Sequence, residues 1–258
     1  MSRVATIALN TFREAVRDRV LYNLIVFALL LLGTAILFSE ISIGIQRLIL
    51  INLGLTAVTF FGVTIAIFIG IGLVYKEMDK RTLYALLSKP VHRYEFILGK
   101  FFGLALTLLV NTLLMTLGFF AALYYVQGKF EPADGWLLAA VYFIFLQLLL
   151  ATSLALLFSC FSSPALSAAF TLGLFIAGNL AADIRGLSQA VEAPWLEGAT
   201  RAVYYALPNF RNFNIIASVA HSQPVPGSLL AFNTAYAALY IGLVLAASVL
   251  IFQNRDLK

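Results

Sequence analysis

The stretch Leu48–Tyr75, which reads LILINLGLTAVTFFGVTIAIFIGIGLVY, contains no Asp, Glu, Lys or Arg. A helix needs about 20 apolar residues to cross a bilayer, and a charged side chain at the bilayer centre costs about 2.5–3.5 kcal/mol on insertion scales. This stretch is therefore predicted to be a membrane span. Further stretches of the chain lack charged residues in the same way: Leu21–Ser39, Phe101–Gln127, Gly135–Ala182 and Leu229–Gln253.

The stretch Gly135–Ala182 is too long for one crossing at about 1.5 Å per residue. Its middle, Ser159–Pro164, reads SCFSSP and combines polar residues with a proline that suits the first turn of a helix. We expect two spans here, Trp136–Phe158 and Pro164–Ala182. The sequence thus predicts an all-α, polytopic membrane protein with six transmembrane helices in one domain, residues 1–258.

Composition and charge placement support a membrane location. Hydrophobic residues make up 62% of the chain and charged residues only 11%, which is far from the composition of soluble domains. Of the 17 Lys and Arg residues, 12 lie in residues 1–20, in residues 76–100 or in the C-terminal tail. The positive-inside rule therefore predicts that both termini and residues 76–100 face the cytoplasm, as in a protein of the cell (inner or cytoplasmic) membrane. Because this topology accounts for the net charge of +5, no nucleic-acid partner is expected.

The segments outside the spans also carry patterns. Residues 1–20 place Val4, Ala8 and Ala15 on one side of a helical wheel and polar residues on the other, which predicts an amphipathic interfacial helix on the cytoplasmic surface. Ile7 interrupts this pattern. Residues 183–228 are expected to lie outside the cytoplasm and to form short interfacial or re-entrant helices.

Residues 75–100, YKEMDKRTLYALLSKPVHRYEFILGK, form the most distinctive segment. Acidic residues come first, then leucines at helical spacing, and then a proline that prevents continuation: Glu77, Asp79, Leu83, Leu86, Leu87 and Pro90. The pattern predicts a short cytoplasmic helix whose leucine ridge fits a groove on another protein. The alternative is an ordinary positive-inside loop whose leucines dip into lipid.

Small residues recur at every fourth position in several predicted spans. The two stripes of interest are Gly62, Ala66 and Gly70 in the second span, and Ala169, Gly173, Ala177 and Ala181 in the fifth. A similar stripe in the third span is Gly99, Gly103, Thr107 and Asn111. Such stripes let helices approach closely, either within one bundle or at an interface between subunits.

Isolated polar residues within the spans are candidates for a substrate pathway. These are Thr107, Asn111 and Asn179. Each also suits a hydrogen bond between neighbouring helices, and the sequence leaves the two roles open.

Motifs for catalysis are absent from the sequence. It contains neither G-x-x-x-x-G-K-[ST] nor G-x-S-x-G, and its only histidines, His92 and His221, are predicted on opposite sides of the membrane. Cys160 is the single cysteine. We therefore expect no catalytic residue, cofactor or metal site, and a non-catalytic membrane subunit.

The chain resembles the transmembrane permease subunits of type-2 ATP-binding-cassette exporters. The matching residues after the second span are Glu77, Arg81-Thr82, Leu86-Leu87-Ser88-Lys89-Pro90, Arg93, Glu95-Phe96 and Leu98-Gly99-Lys100. Leu207-Pro208-Asn209 before the last span and the tail Asn254-Arg255-Asp256-Leu257 extend the resemblance along the chain. His92 departs from the small hydroxyl residue that relatives often carry.

The resemblance implies a complex of two permease subunits, identical or related, with two cytoplasmic ATP-binding-cassette ATPase subunits, embedded in the lipid bilayer. It also implies that the loop after the second span is the coupling helix that contacts the ATPase. The residues implicated are Glu77, Asp79, Lys80, Arg81, Thr82, Leu83, Leu86, Leu87, Ser88 and Lys89. The expected function is export of an unidentified substrate, with ATP hydrolysed by the separate ATPase subunit.

Two alternatives belong to other classes. An ATP-independent secondary transporter normally carries an Asp, Glu or His inside the membrane, and the predicted spans contain none. A non-transporting scaffold or assembly protein would also lack such residues and would use the same loop to dock a partner. Only the family resemblance separates the scaffold from the exporter.

Overall fold

The computed structural model describes residues 2–41, 44–79, 92–190 and 207–253. In these ranges every regular element is a helix, which confirms the all-α fold class. The α-helices are α1 (Arg3–Val16), α2 (Arg19–Ile41), α3 (Gln46–Asp79), α4 (Arg93–Gln127), α5 (Gly135–Ser159), α6 (Pro164–Ala190), α7 (Ile216–Ala220) and α8 (Gly227–Gln253). Short 3-10 turns occupy Pro132–Asp134 and Phe210–Phe213.

Several of these helices are long and apolar enough to cross a membrane. Within the described residues they are Gln46–Gly72, Arg93–Gln127, Pro132–Ser159 and Gly227–Gln253. Shorter apolar stretches, Leu24–Ser39 and Pro164–Leu180, lie in α2 and α6. The class of polytopic membrane protein is confirmed, while the number of six spans and their orientation stay predictions.

The predicted break between the fourth and fifth spans is present. Helix α5 ends at Ser159, and α6 begins at Pro164, which needs no backbone N–H donor in the first turn. The intervening residues turn the chain, with the Ser162 N–H donating to the Phe158 carbonyl at 2.9 Å. The polar interruption in the sequence therefore marks a reversal of direction.

The segment after the second predicted span differs from expectation. It was predicted as a loop over residues 76–100, whereas α3 continues to Asp79 and α4 already begins at Arg93. Helix α4 starts early because the His92 backbone N–H donates to Glu95 Oε2 at 2.9 Å, an N-terminal cap that the sequence pattern did not reveal. Residues 80–91, which include most of the predicted coupling helix, lie outside the described residues.

The bundle has two ends. Helix α1, the end of α3, the start of α4, the α5–α6 turn and the end of α8 lie together, and we call this the α1 end. The starts of α3 and α5 and residues 207–226 lie at the opposite end, which we call the distal end. Under the predicted topology the α1 end faces the cytoplasm.

Helices α3 and α5 form the centre of the bundle. Of the membrane-length helices they are the most buried, and α8 is the least. A Cβ at Gly62 of α3 would lie 2.8 Å from Leu148 Cδ1 of α5, so a larger residue at position 62 would displace the Leu148 side chain. Ala66 is buried, and Gly70 faces Ala155 of α5. The α3 stripe of small residues therefore packs inside the chain.

The stripe on α6 has different surroundings. Ala169 and Gly173 are exposed, and no described atom lies within 4 Å of the position of a Gly173 Cβ. Ala177 is partly buried, and the side chain of Ala181 lies outside the described residues. Among the described residues nothing covers Gly173, so the stripe on α6 is better placed than the one on α3 to contact another molecule.

Candidate functional site

A charged cluster joins three elements at the distal end. Arg47, at the start of α3, donates from Nη2 to Asp134 Oδ1 at 2.8 Å and from Nη1 to Ser222 Oγ at 2.9 Å. Its Nη1 also donates to the Ala220 carbonyl at 3.2 Å. The other oxygen of Asp134 accepts from the Glu131 backbone N–H at 2.8 Å. One guanidinium thus fixes the α4–α5 connection and the residues after α7 to α3.

Helix α1 packs directly on the start of α4. A Cβ at Gly103 would lie 2.5 Å from Thr11 Cβ and 2.6 Å from the Ala8 carbonyl oxygen. One turn earlier, a Cβ at Gly99 would lie 2.6 Å from Ile7 Cβ. The two glycines form a notch for α1, and Ile7, which interrupts the amphipathic pattern in the sequence, lies at its centre.

The α1–α4 junction also buries a charge. Lys100 is only 1% exposed, with Nζ 3.9 Å from Glu14 Oε2 and 5.8 Å from the centroid of the Phe96 ring. Arg3 of α1 lies 3.8 Å from Glu95 of α4. Lys100, the last residue of the predicted loop over residues 76–100, belongs to α4, which begins eight positions before the apolar run at Phe101.

Arg93 connects the start of α4 to the end of α8. Its Nη1 donates to the carbonyls of Phe252 and Gln253 at 2.7 and 2.6 Å. The last carbonyls of a helix have no partner within the helix, and a cation there is also favoured by the helix dipole. The ring of Phe252 stacks on Phe96 with centroids 5.7 Å apart. The start of α4 is therefore attached to both α1 and α8.

The predicted coupling residues are described only in part. The backbone of Glu77 and Asp79 forms the last turn of α3, whereas Lys80, Arg81, Thr82, Leu83, Leu86, Leu87, Ser88 and Lys89 lie outside the described residues. The segment leaves from α3 and returns at Arg93. Both points of attachment lie at the α1 end of the bundle.

A cavity of about 460 Å³ lies between α3, α5 and α6. Phe213, Asn214 and Ile216 close it toward the distal end. Most of its lining is aliphatic or aromatic, and no Asp, Glu, Lys or Arg is among the described residues that line it. The polar lining residues are Thr56, Thr59, Thr64, Gln147, Asn179 and Asn214. The volume and the lining are typical of a site for a small, mainly apolar molecule.

Gln147 is the most unusual residue of the cavity. It is 3% exposed and makes no hydrogen bond within the described part of the chain, but its amide atoms are not fully buried as Asn111 Nδ2 is. Asn179, by contrast, donates from Nδ2 to the Phe175 carbonyl of its own helix at 2.8 Å. Gln147 was not among the predicted pathway residues, although it is the only amide in the apolar span Trp136–Phe158.

The three predicted pathway residues do not lie together. Asn179 lines the cavity, but Thr107 and Asn111 belong to α4 and are absent from the lining. Thr107 Oγ1 donates to the Gly103 carbonyl at 3.0 Å, and Asn111 is buried. The structure thus separates these residues by helix, and only Asn179 belongs to the cavity.

The apolar helices define a multi-pass membrane protein with a cavity inside its helical bundle. Residues 5–257 match the family described as "ABC-2 family transporter protein". The chain therefore belongs to the ABC-2 transporter family and is the transmembrane subunit of an ATP-binding-cassette transporter. No match to the chain was found among curated proteins.

Proposed function

We propose that this subunit is the permease of an exporter that moves its substrate with ATP hydrolysed by a separate cytoplasmic ATPase. The supporting observation is family membership over residues 5–257. The location would be the cell's inner or cytoplasmic membrane, with the α1 end facing the ATPase.

The coupling contact is proposed to lie in residues 77–89, where Leu83, Leu86 and Leu87 recur at helical spacing. Support comes from the elements that flank this segment. Arg93 is hydrogen-bonded to the end of α8, and the glycine notch holds α1 against α4. A force applied to the segment would therefore act on α1, α4 and α8 together.

The proposed complex contains two permease subunits, a second copy of this chain or a related one. Ala169, Gly173 and Ala177 of α6 are the preferred interface, because Gly173 has no neighbour within 4 Å among the described residues. Gly62, Ala66 and Gly70 are less suitable, since α5 already occupies that side of α3. Small residues there would allow close helix contact across the interface.

The coupling contact is tested by Leu86→Asp. A carboxylate placed in an apolar contact carries a desolvation penalty, so we expect the variant to insert normally but to lose the ATPase on purification and lose ATP-driven transport. Ser162→Asp, in the α5–α6 turn at the same end of the bundle, is the matched control and should retain both. The measurement is the ratio of ATPase to permease after affinity purification from membranes.

Normal ATPase retention and transport in Leu86→Asp would place the coupling contact elsewhere, with α1 as the next candidate. ATPase retention in the unmodified protein without any ATP-driven transport would instead favour the scaffold. Proton-driven uptake or efflux without ATP would favour the secondary transporter.

A further inference from the structure

We propose that the side of α1 that carries Arg13 and Arg17 binds the phosphate of an anionic phospholipid at the membrane surface. This inference goes beyond transport and does not rest on the proposed exporter. It depends on three features of α1: its alignment with α4, the lack of acidic partners for the two arginines, and the apolar residues beside them.

Helix α1 runs beside the start of α4 and in the same direction. Ile7 of α1 lies against Gly99 of α4. One turn further along both helices, Thr11 lies against Gly103. The apolar run of α4 begins between these two glycines, at Phe101. The last turns of α1, which follow Thr11, therefore lie beside the apolar part of α4, where the headgroups of the membrane meet its hydrocarbon.

The two arginines lie on the side of α1 that points away from α4. Residues four positions apart in a helix share one side, and the row that contacts α4 contains Ile7 and Thr11. On the opposite side of α1, with the same spacing, is a row of exposed residues: Leu9, Arg13 and Arg17. The guanidinium groups of this row are therefore available to a molecule outside the bundle.

Neither arginine has an acidic partner among the residues that the structure describes. Glu95 lies 3.8 Å and Glu14 3.9 Å from other basic residues, and no ion pair joins Arg17 to its neighbour Asp18. Two positive charges one helical turn apart are thus left without an anion from the chain. A phosphate suits them, because guanidinium groups bind its oxygens through paired, charge-assisted hydrogen bonds.

The residues beside the arginines favour a lipid as the source of this phosphate. Phe12 and Val16 occupy the adjacent row and are only partly buried, and Leu9 is 37% exposed. A helix that combines exposed apolar residues with arginines binds to membrane surfaces, and anionic lipids strengthen this binding. The long arginine side chains can reach the headgroups from the edge of the hydrocarbon. Phosphatidylcholine carries a cation next to its phosphate, so an anionic headgroup is the better partner.

The test compares two photoreactive lipids. The purified full-length chain is placed in phosphatidylcholine nanodiscs that contain a trace of phosphatidylglycerol or phosphatidylcholine with a diazirine at the same position of the same acyl chain. We expect phosphatidylglycerol to label the region of residues 9–26 at least about tenfold more than phosphatidylcholine. Arg13→Gln and Arg17→Gln should each lower this preference about fivefold, and the double variant should label about equally with both lipids.

Arg3→Gln is the matched control, because it removes the same charge from the row that faces α4 and should leave the preference unchanged. Arg13→Lys keeps the charge and should retain most of the preference. Equal labelling of the unmodified chain by both lipids, or an unchanged preference in the double variant, would overturn the proposal. Competition by added glycerol phosphate would overturn it in favour of a soluble phosphate. An unchanged preference with loss of the ATPase subunit on purification would instead assign the two arginines to a contact with that subunit.

Discussion

Single charged residues determine how the two ends of this bundle are held. At the distal end, the carboxylate of Asp134 is almost fully buried and its closest cation is Arg47, at 2.8 Å. At the α1 end, Arg93 binds the carbonyls that α8 leaves unpaired. Each contact joins elements that are far apart in sequence, so each residue contributes to the arrangement of several helices.

Arg47→Met is predicted to destabilise the protein by about 3 kcal/mol, because removing one partner of a buried pair leaves the other charge uncompensated. Thermal unfolding of the detergent-purified protein measures the effect. The double variant Arg47→Met with Asp134→Leu removes the stranded carboxylate and should recover part of the loss. Unfolding of Arg47→Met at the wild-type temperature would show that Asp134 is hydrated and needs no cation.

Among the helices, α1 and α4 show how a glycine pair positions an amphipathic element. Ile7 and Thr11 lie against Gly99 and Gly103 at distances that no Cβ would permit. Part of α1 therefore packs against α4 and not against lipid. Its location at the membrane surface remains a prediction.

Gly103→Val is predicted to displace α1, since the added side chain meets both Thr11 Cβ and the backbone oxygen of Ala8. In a Cys160→Ser background, a cysteine at Thr11 should resist a thiol reagent in the parent and react after Gly103→Val. Gly33→Val on α2, where no described atom lies within 4 Å of the added Cβ, is the control and should leave the cysteine protected. Continued protection in Gly103→Val would mean that α1 shifts along α4 without leaving it.

The helices themselves follow closely from the sequence. Uninterrupted apolar runs predicted a membrane-spanning protein, because the bilayer interior penalises charged side chains. Pro164 predicted the reversal between α5 and α6, because a proline is tolerated in the first turn of a helix but not in its interior. Helix ends were less accurate. Helix α4 already includes Arg93–Lys100, which precede its apolar run and contain three charged residues, and Glu95 caps its first turn.

The site was harder to predict, because it depends on which helices become neighbours. A small residue at every fourth position indicates close helix packing but does not indicate which helix packs there. The stripe containing Gly62 faces α5. Gln147 is one polar residue in an apolar span, and only the structure shows that it lines the cavity between α3, α5 and α6. Thr107 and Asn111 are also isolated polar residues in an apolar span, but they belong to α4 and do not line the cavity.

For the whole molecule, orientation is the first property to test. With 12 of 17 basic residues on one predicted side, residues 76–100 should be cytoplasmic and residues 183–228 external. Cysteines at Lys89 and at Ser188 in a Cys160→Ser background distinguish the sides. An impermeant thiol reagent should label position 188 and not position 89 in intact cells, and the reverse pattern would invert the topology.

Assembly is the second whole-molecule property. If α6 forms the contact with a second permease, Gly173→Cys in a Cys160→Ser background should give a disulfide-linked dimer on mild oxidation in membranes. Gly33 on α2 is also exposed, and Gly33→Cys serves as the control, which should remain monomeric. Equal cross-linking at both positions would indicate random collision in the membrane.

The glycine notch has a consequence for biosynthesis. Ile7 leaves the ribosome long before Gly99, and at about 5–20 residues per second the delay is on the order of 5–20 s. During that interval α2 and α3 enter the membrane while α1 has no notch to occupy. The apolar side of α1 would then lie on the membrane surface. The sequence of α1 must therefore suit first the lipid headgroups and later the contact with α4. Helix α1 can thus reach its final position only after the start of α4 has been made.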